Sequence, residues 1–427
     1  MNTSSGILVI RVGVFPSSSE TFITLQAKQA IDLGYDVRIL VDKKKGLADS
    51  SQAELIKQYN LLDRTFQLSH IYPSSKWHRL KAMVQIIGHG VPWKVMATLN
   101  YFKYGLEGFK GKYLFQYESV RDFIHADIIH IQFGVYKFPF DELSALGVVK
   151  GKLITTFHGF DAHFNEEDRA EKSAYYKLLF QYGHLFTANS DYLKNKLIAL
   201  ACPIEKLQVV PMPVDTGFFR SVPKKDNEKD IRLLSVGRLI ELKGHEYGIR
   251  AVKELRLQGF TVRYKIIGSG DELKRLKKII SDLELEQVVE LAGDCNQEEV
   301  LHSMQSSDIF LMTSTCDKAG RREAQGVVVA EAQACGLPVV AFRSGGVPSA
   351  IAEGISGLLA TENDVEGMAE HLEHLIRHPE LRKSMGIAAR TYVEENFSLD
   401  LINERWARLY SKSDVLLHLK NNMGSNE

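Results

Sequence analysis

Residues 231–257 read IRLLSVGRLIELKGHEYGIRAVKELRL. The run 231–236 is short, apolar and β-branched and stops at Gly237, which is how a buried parallel strand enters its turn. Residues 247–257 have helical character, and 261–267 return to a strand pattern. A strand, helix and strand in such close succession form a right-handed parallel unit. Working outward, strands at 288–292, 309–312 and 337–341 alternate with helices at 273–283, 298–304 and 328–334. This predicts a parallel sheet with helices on both faces.

The same alternation occupies the first half. Strands are predicted at 7–10, 37–41, 128–131, 152–156, 185–188 and 207–210, with helices at 20–33 and 190–200. Residues 215–230 are polar and read as a linker, and 398–419 form a long amphipathic helical pattern. The expected fold is α/β, with two Rossmann-like domains facing a cleft. They span 1–213 and 214–399, and a tail helix at 400–420 crosses back onto the first. In such sheets ligands sit beyond the carboxyl ends of the strands.

Composition narrows the classes. The 53 basic and 53 acidic residues cancel, so no global field favours nucleic acid. Cys202, Cys295, Cys316 and Cys335 make no C-x-x-C pair and no zinc-like spacing with histidine. Reduced thiols in a cytosol are expected. The N-terminus lacks a signal-peptide layout, and no run nears the ~18 apolar residues of a spanning helix. The expected location is cytoplasmic, at most peripheral on the inner face of the cytoplasmic membrane.

Four features of the second half carry chemistry. In SVGRLIELKG (235–244), Gly237 permits a tight turn and Arg238 and Lys243 project from the loop. An arginine fork and a lysine point charge suit a diphosphate, although surface loops often hold such cations. In EAQGVVVAE (323–331), Glu323 precedes a helix that begins near Gly326, Val327 and Val328, and Glu331 lies in its early turns. A helix N-terminus draws a phosphate, and two carboxylates can bind hydroxyls; an acidic first turn merely satisfying the helix dipole is the alternative. Gly268-Ser-Gly270 follows a strand but lacks the third glycine of a dinucleotide fingerprint, which argues against an NAD site. Gly345-Gly346 either admits a ligand beside the backbone or is a plain turn.

VGRLIELKG followed by EAQGVVVAEAQACGLPVVAFRSGG resembles family 4 of the retaining glycosyltransferases. The likeness is strongest over residues 231–360 and weaker before 150. FPSSSETFI (15–23) and IHIQFG (129–134) are similar to the exopolysaccharide and colanic-acid-type branch. The resemblance implies a GT-B fold. It implies that Arg238 and Lys243 hold the donor diphosphate, that Glu331 holds the ribose, and that Glu323 contacts the sugar. Gly268 and Gly293 would lie near the base, and Gly13 in the first loop, although the paired glycines common there are missing. In FHGFD (157–161), His158 would face the sugar from across the cleft, with Asp161 orienting the loop or lining the acceptor side beside Glu20 and Asn189. An N-cap by Asn189 or Ser190 is the structural alternative. The basic pair Arg321-Arg322 departs from the family pattern and reads as solvated surface or else as a contact for an anionic sugar or acceptor.

The implied reaction moves a sugar with retention from a nucleoside diphosphate, UDP before GDP, to a saccharide or undecaprenyl-diphosphate-linked acceptor. Neither metal nor cofactor is expected, because fixed cations take the leaving charge. Residues 74–117 hold seven lysines and arginines against Glu107, interleaved with nine aromatics. That composition suits an anionic membrane surface, or else a helical insert with an aromatic core. A nucleotide-sugar epimerase of the same fold and a non-catalytic nucleotide-sugar-binding partner are the competing readings.

Overall fold

The structure is a computed structural model that describes residues 6–17, 20–50, 52–69, 72–223 and 230–411. Its frame is two sheets, each paired in parallel throughout. The first contains β1 (Gly6–Phe15), β2 (Tyr35–Lys44), β3 (Thr65–Gln67), β4 (Ile128–Gln132), β5 (Lys152–Phe157), β6 (Leu185–Ala188) and β7 (Leu207–Val209), in the order β3-β2-β1-β4-β5-β6-β7. The second contains β8 (Ile231–Val236), β9 (Val262–Ile267), β10 (Val289–Gly293), β11 (Ile309–Met312), β12 (Val339–Phe342) and β13 (Gly357–Ala360), in the order β10-β9-β8-β11-β12-β13. Both are doubly wound, with the strand order reversing between β1 and β4 and between β8 and β11. That reversal leaves a crevice at the carboxyl ends.

The central strands are apolar on both faces because helices cover both. Leu8, Val9, Ile10 and Val12 are fully buried, with Leu8 in register with Val37 on one side and Ile128 on the other. β1 runs on through Gly13 to Phe15, past the four-residue run that marks it in sequence. β3 and β13, of three and four residues, lack the uninterrupted run of large apolar residues that would signal a strand. They add edges to sheets whose interiors are already specified.

The last described helix, Leu399–Tyr410, lies on the first sheet. Ile402, Trp406, Leu409 and Tyr410 share a core with Leu8, Ile10, Val37 and Ile154. The chain crosses between the sheets twice at one place: the Val214 amide donates to the Phe397 carbonyl (2.8 Å), and the Leu399 amide to the Val214 carbonyl (3.0 Å). Residues 412–420 of the predicted tail and 224–229 of the predicted linker lie outside the described residues.

Candidate active site

The carboxyl ends of β5 and β8 face one another across a cavity of about 260 Å³, lined among others by His158, Lys196, Arg238, Lys243, Arg322 and Glu323. Its walls come from two segments of each half: residues 158–163 and 192–196 on one side, 238–243 and 321–324 on the other.

On the β8 side, the turn after Val236 is held by backbone. The Gly237 amide donates to the Ile267 carbonyl (2.9 Å) and the Leu239 amide to the Ser269 carbonyl (2.7 Å). A Cβ on Gly268 would stand 2.1 Å from the Gly237 carbonyl oxygen, so glycine is required there for the two loops to touch. Gly268 also donates to the Gly293 carbonyl (2.8 Å), which brings these two predicted residues together. Arg238 is exposed and has no ion pair among the described residues. Lys243 reaches the Glu323 carboxylate at 2.5 Å, each side chain being less than one-fifth exposed. Burial alone would raise the Glu323 carboxyl, but Lys243, the Ala324 amide and Arg238 together hold it below the ordinary value.

The Glu323 loop rests on the loop after β12. The Gly346 amide donates to the Glu323 carbonyl (2.8 Å), and a Cβ on Gly346 would lie 1.8 Å from the Ala324 carbonyl oxygen. The space beside Gly345-Gly346, which the sequence offered to a ligand, is therefore filled by protein backbone. The helix Val327–Ala334 starts at Gly326 in the left-handed region (φ 80°) with no side-chain cap. Val327 and Val328 open it, half-buried, with the positive end of the helix dipole there. Glu331, one turn on, makes no ion pair among the described residues and is pushed up to about 7 by burial. Arg238, Lys243 and Glu323 line the cavity and suit a diphosphate carrying hydroxyl groups, whereas Val327, Val328 and Glu331 are not among its lining residues.

On the β5 side, the His158 imidazole packs against Phe22 (4.5 Å between ring centres) and Phe133 (4.4 Å), both tilted to it, and the two phenyl rings lie 6.2 Å from each other. Burial pushes it down to about 3, so the ring is neutral. Asp161 is fully buried and does not reach the cavity. Its Oδ1 accepts from the amides of His158 (3.0 Å) and Gly159 (2.9 Å) and its Oδ2 from Gly134 (2.9 Å). Of the two roles the sequence allowed, it occupies that of loop organiser. Asn189 supports the same loop through the His158 carbonyl (3.3 Å), while Ser190 caps the helix Asp191–Ala199 by accepting from Leu193 (3.2 Å). Glu20 precedes the helix Thr21–Asp32, half-buried and outside the cavity lining. Gly13 is also outside it: it lies within β1, and a Cβ there would meet the Tyr136 hydroxyl at 2.2 Å. The strand continues where a phosphate-binding turn was expected, and Tyr136 fills the space.

Arg321 and Arg322 line the cavity mouth, exposed but each paired, with Asp317 (2.7 Å) and Glu362 (3.1 Å). Sequence reasoning missed Lys196, whose ammonium lies 4.4 Å over the Phe164 ring, and Gln132, whose Oε1 is 2.8 Å from His158 Nε2. Gln132 sat in the quoted IHIQFG stretch, where a polar residue ending an apolar strand was the available signal.

A second surface lies away from the cavity. On the helix Lys76–Gly88, Trp77 is 80% exposed and Val84 64%, and with Leu80 and Ile87 they form one outward apolar stripe. Trp93 and Phe102 (97% exposed) extend it over the next two helices. Lys76, Lys81, Lys94 and Lys103 are exposed among them. The opposite side of the segment enters the core through Ile86 and Val95, as does its end with Leu114, Phe115 and Tyr117.

Among known proteins, the family model described as Glycosyltransferase Family 4 matches residues 19–218, and the one described as Glycosyl transferases group 1 matches 219–392. The chain is 33% identical over 406 residues to the amylovoran biosynthesis glycosyltransferase AmsK of Erwinia amylovora, covering 93% of this chain and 97% of that one. It is 33% identical over 398 residues to the putative colanic acid biosynthesis glycosyltransferase WcaL of Escherichia coli K12, covering 92% and 97%. Among solved structures, Anabaena HepE in complex with UDP and glucose superposes with a TM-score of 0.67 at 18% identity, over 95% of this chain and 100% of that chain.

Proposed function

The chain belongs to the glycosyltransferases of family 4 and group 1, and from that membership we propose that it transfers a sugar, with retention, from a nucleoside diphosphate to a saccharide acceptor in cell-surface polysaccharide synthesis. The observation that carries this reading is the cavity itself: an unpaired Arg238 and a Lys243–Glu323 pair stand opposite a neutral His158. AmsK and WcaL, named for amylovoran and colanic acid, supply the polysaccharide context.

The leaving diphosphate gains negative charge in the transition state. Arg238, Lys243 and the N-terminus of the helix Val327–Ala334 stabilise it there, which is the largest single contribution such a site makes. These fixed cations do the work that a metal does elsewhere, so transfer proceeds without one. Glu331 takes the ribose hydroxyls. Glu323, kept ionised by Lys243, takes hydroxyls of the sugar. The bond between the anomeric carbon and the phosphate oxygen breaks, and the acceptor oxygen bonds to that carbon on the same face. The acceptor's proton passes to the departing phosphate oxygen.

HepE carries UDP, and a relative 30% identical over 233 residues is a GDP-mannose-dependent mannosyltransferase of Mycolicibacterium smegmatis. UDP is therefore the first diphosphate to test and GDP the second. In EDTA, a saturating nucleoside diphosphate is expected to raise the melting temperature by roughly 5–10 °C, UDP more than GDP. A shift that requires a divalent cation overturns the metal-free reading, and no shift with any diphosphate overturns the donor site. Nucleotide sugar epimerised with no acceptor present selects the epimerase instead.

The outward stripe of Trp77, Leu80, Val84 and Phe102 among lysines supports a lipid-linked acceptor met at an anionic membrane surface. Each lysine near such a surface contributes ~1 kcal/mol, and the apolar stripe adds insertion. The protein is expected to float with vesicles containing phosphatidylglycerol, less so in high salt, and the double variant Trp77→Ser, Phe102→Ser is expected to stay in the dense fraction. Flotation that ignores both lipid charge and the double substitution excludes this surface.

A further inference from the structure

A buried hydrogen-bond chain runs from His158 away from the cavity through two side-chain amides to the Tyr410 hydroxyl. Gln132 Nε2 donates to Gln26 Oε1, and Gln26 Nε2 donates to the Tyr410 hydroxyl (2.9 Å). An amide nitrogen only donates, so that hydroxyl accepts from Gln26, and it lies 2.8 Å from His130 Nδ1. His130 Nε2 is 2.7 Å from Thr156 Oγ1 and 3.3 Å from Gln132 Nε2, and Thr156 Oγ1 is 2.7 Å from Thr187 Oγ1. At the cavity end, Gln132 Oε1 only accepts, so His158 Nε2 donates to it (2.8 Å).

We propose that Gln132 and Tyr410 are positioning residues that hold His158 as its Nε2–H tautomer and leave the Nδ1 lone pair as its face toward the ligand. The assignment rests on reading His158 as a sugar-facing side chain. A lone pair there accepts from a sugar hydroxyl and repels a carboxylate, so the sugar position facing His158 carries a hydroxyl. Phe22 and Phe133 pack against the ring and against each other, which keeps it from turning over. The titratable and charged groups around it are His130 on β4, Asp161 in its own loop, Tyr410 on the tail helix, and Arg238 and Glu323 across the cavity. Tyr410 ties the described end of the chain, more than 250 residues on, into the site; the tail helix is part of the active site's support as well as of the core.

The test is a long-range proton–nitrogen NMR correlation on the full chain with ¹⁵N-histidine, the His158 signal being assigned by its loss in His158→Gln. The wild type is expected to show the Nε2–H tautomer without titration over roughly pH 5–8. Tyr410→Phe keeps the ring and removes the hydroxyl. It is expected to give a mixed tautomer and a roughly tenfold lower kcat, the loss of one placed hydrogen bond, with donor KM within about twofold. Gln132→Glu is isosteric and puts a carboxylate against Nε2. It is expected to make His158 titrate in that range and to add an ionisation to the pH–rate profile. If Tyr410→Phe fails to fold, Gln132→Glu decides alone. An Nδ1–H ring in the wild type, or variants with wild-type tautomer and pH profile, overturns the proposal. A wild type that shows the tautomer but turns over no nucleotide sugar removes the transferase reading and leaves the relay standing.

Discussion

Lys243→Ala is expected to lower kcat/KM by about 10²- to 10³-fold, the usual cost of removing one donor from a developing anion. It is also expected to destabilise the fold by about 3 kcal/mol, because Glu323 keeps its burial and loses its partner. The pH dependence should reverse. In the wild type the Glu323 carboxyl lies below the ordinary value of 4.5. Its contribution to stability is present above that value and lost as pH falls through the lower folded one. Without Lys243, burial is opposed only by the Ala324 amide and the more exposed Arg238, and the folded value moves above 4.5. The variant then loses stability as pH rises from the ordinary value through the raised one. Denaturation at acid and neutral pH checks the reversal. Adding Glu323→Gln should restore stability but not turnover, which separates the structural share of the pair from the chemical one.

The second large effect is expected at Asp161. Asp161→Ala removes the acceptor for three backbone amides at once and releases the loop that carries His158. A loss of about 4 kcal/mol is expected from those buried donors, with turnover reduced about 100-fold as the ring leaves its place. Asp161→Asn should recover part of both. Its Oδ1 still serves His158 and Gly159, whereas Nδ2 meets the Gly134 amide donor to donor. Thermal melting and steady-state kinetics of the two variants give the ranking; equal behaviour of Asn and Ala would remove the role assigned to the individual amides.

The parallel sheets were legible because their central strands, such as 231–236 and 309–312, are apolar runs too short for helices. The edges β3 and β13 were not, since Thr65-Phe-Gln and Gly357-Leu-Leu-Ala lack the uninterrupted run of large apolar residues that marks Ile309–Met312 at a similar length. At the site, Arg238, Lys243, Glu323 and His158 could each be named from local motifs. What motifs do not contain is who meets whom: Lys243 and Glu323, 80 residues apart, form an ion pair. Glycine was the least readable residue. Gly268, Gly345 and Gly346 each mark a close approach, but the partner is another stretch of this chain. Gly13 is covered by a tyrosine 123 residues away. The aromatic segment 74–117 was undecidable for a related reason. Trp77, Leu80, Val84 and Ile87 fall at helical spacing whether that face meets a core or solvent, and only the packed structure assigns it.

The two passages of chain at Val214 and Phe397–Leu399 lie side by side and are hydrogen-bonded to each other. Two connections at one point make a pivot rather than a tether. One half can swing about that point but can neither slide along the other nor pull away from it, so cleft width reduces to a single angle. Displacement grows with distance from the pivot. The loop that carries Arg321 and Arg322 is itself tied across the cleft, Gln325 to the Met212 amide (2.7 Å) and the Ala319 carbonyl to His163 (2.9 Å), so opening the cleft breaks those ties and a ligand gripped from both walls replaces them.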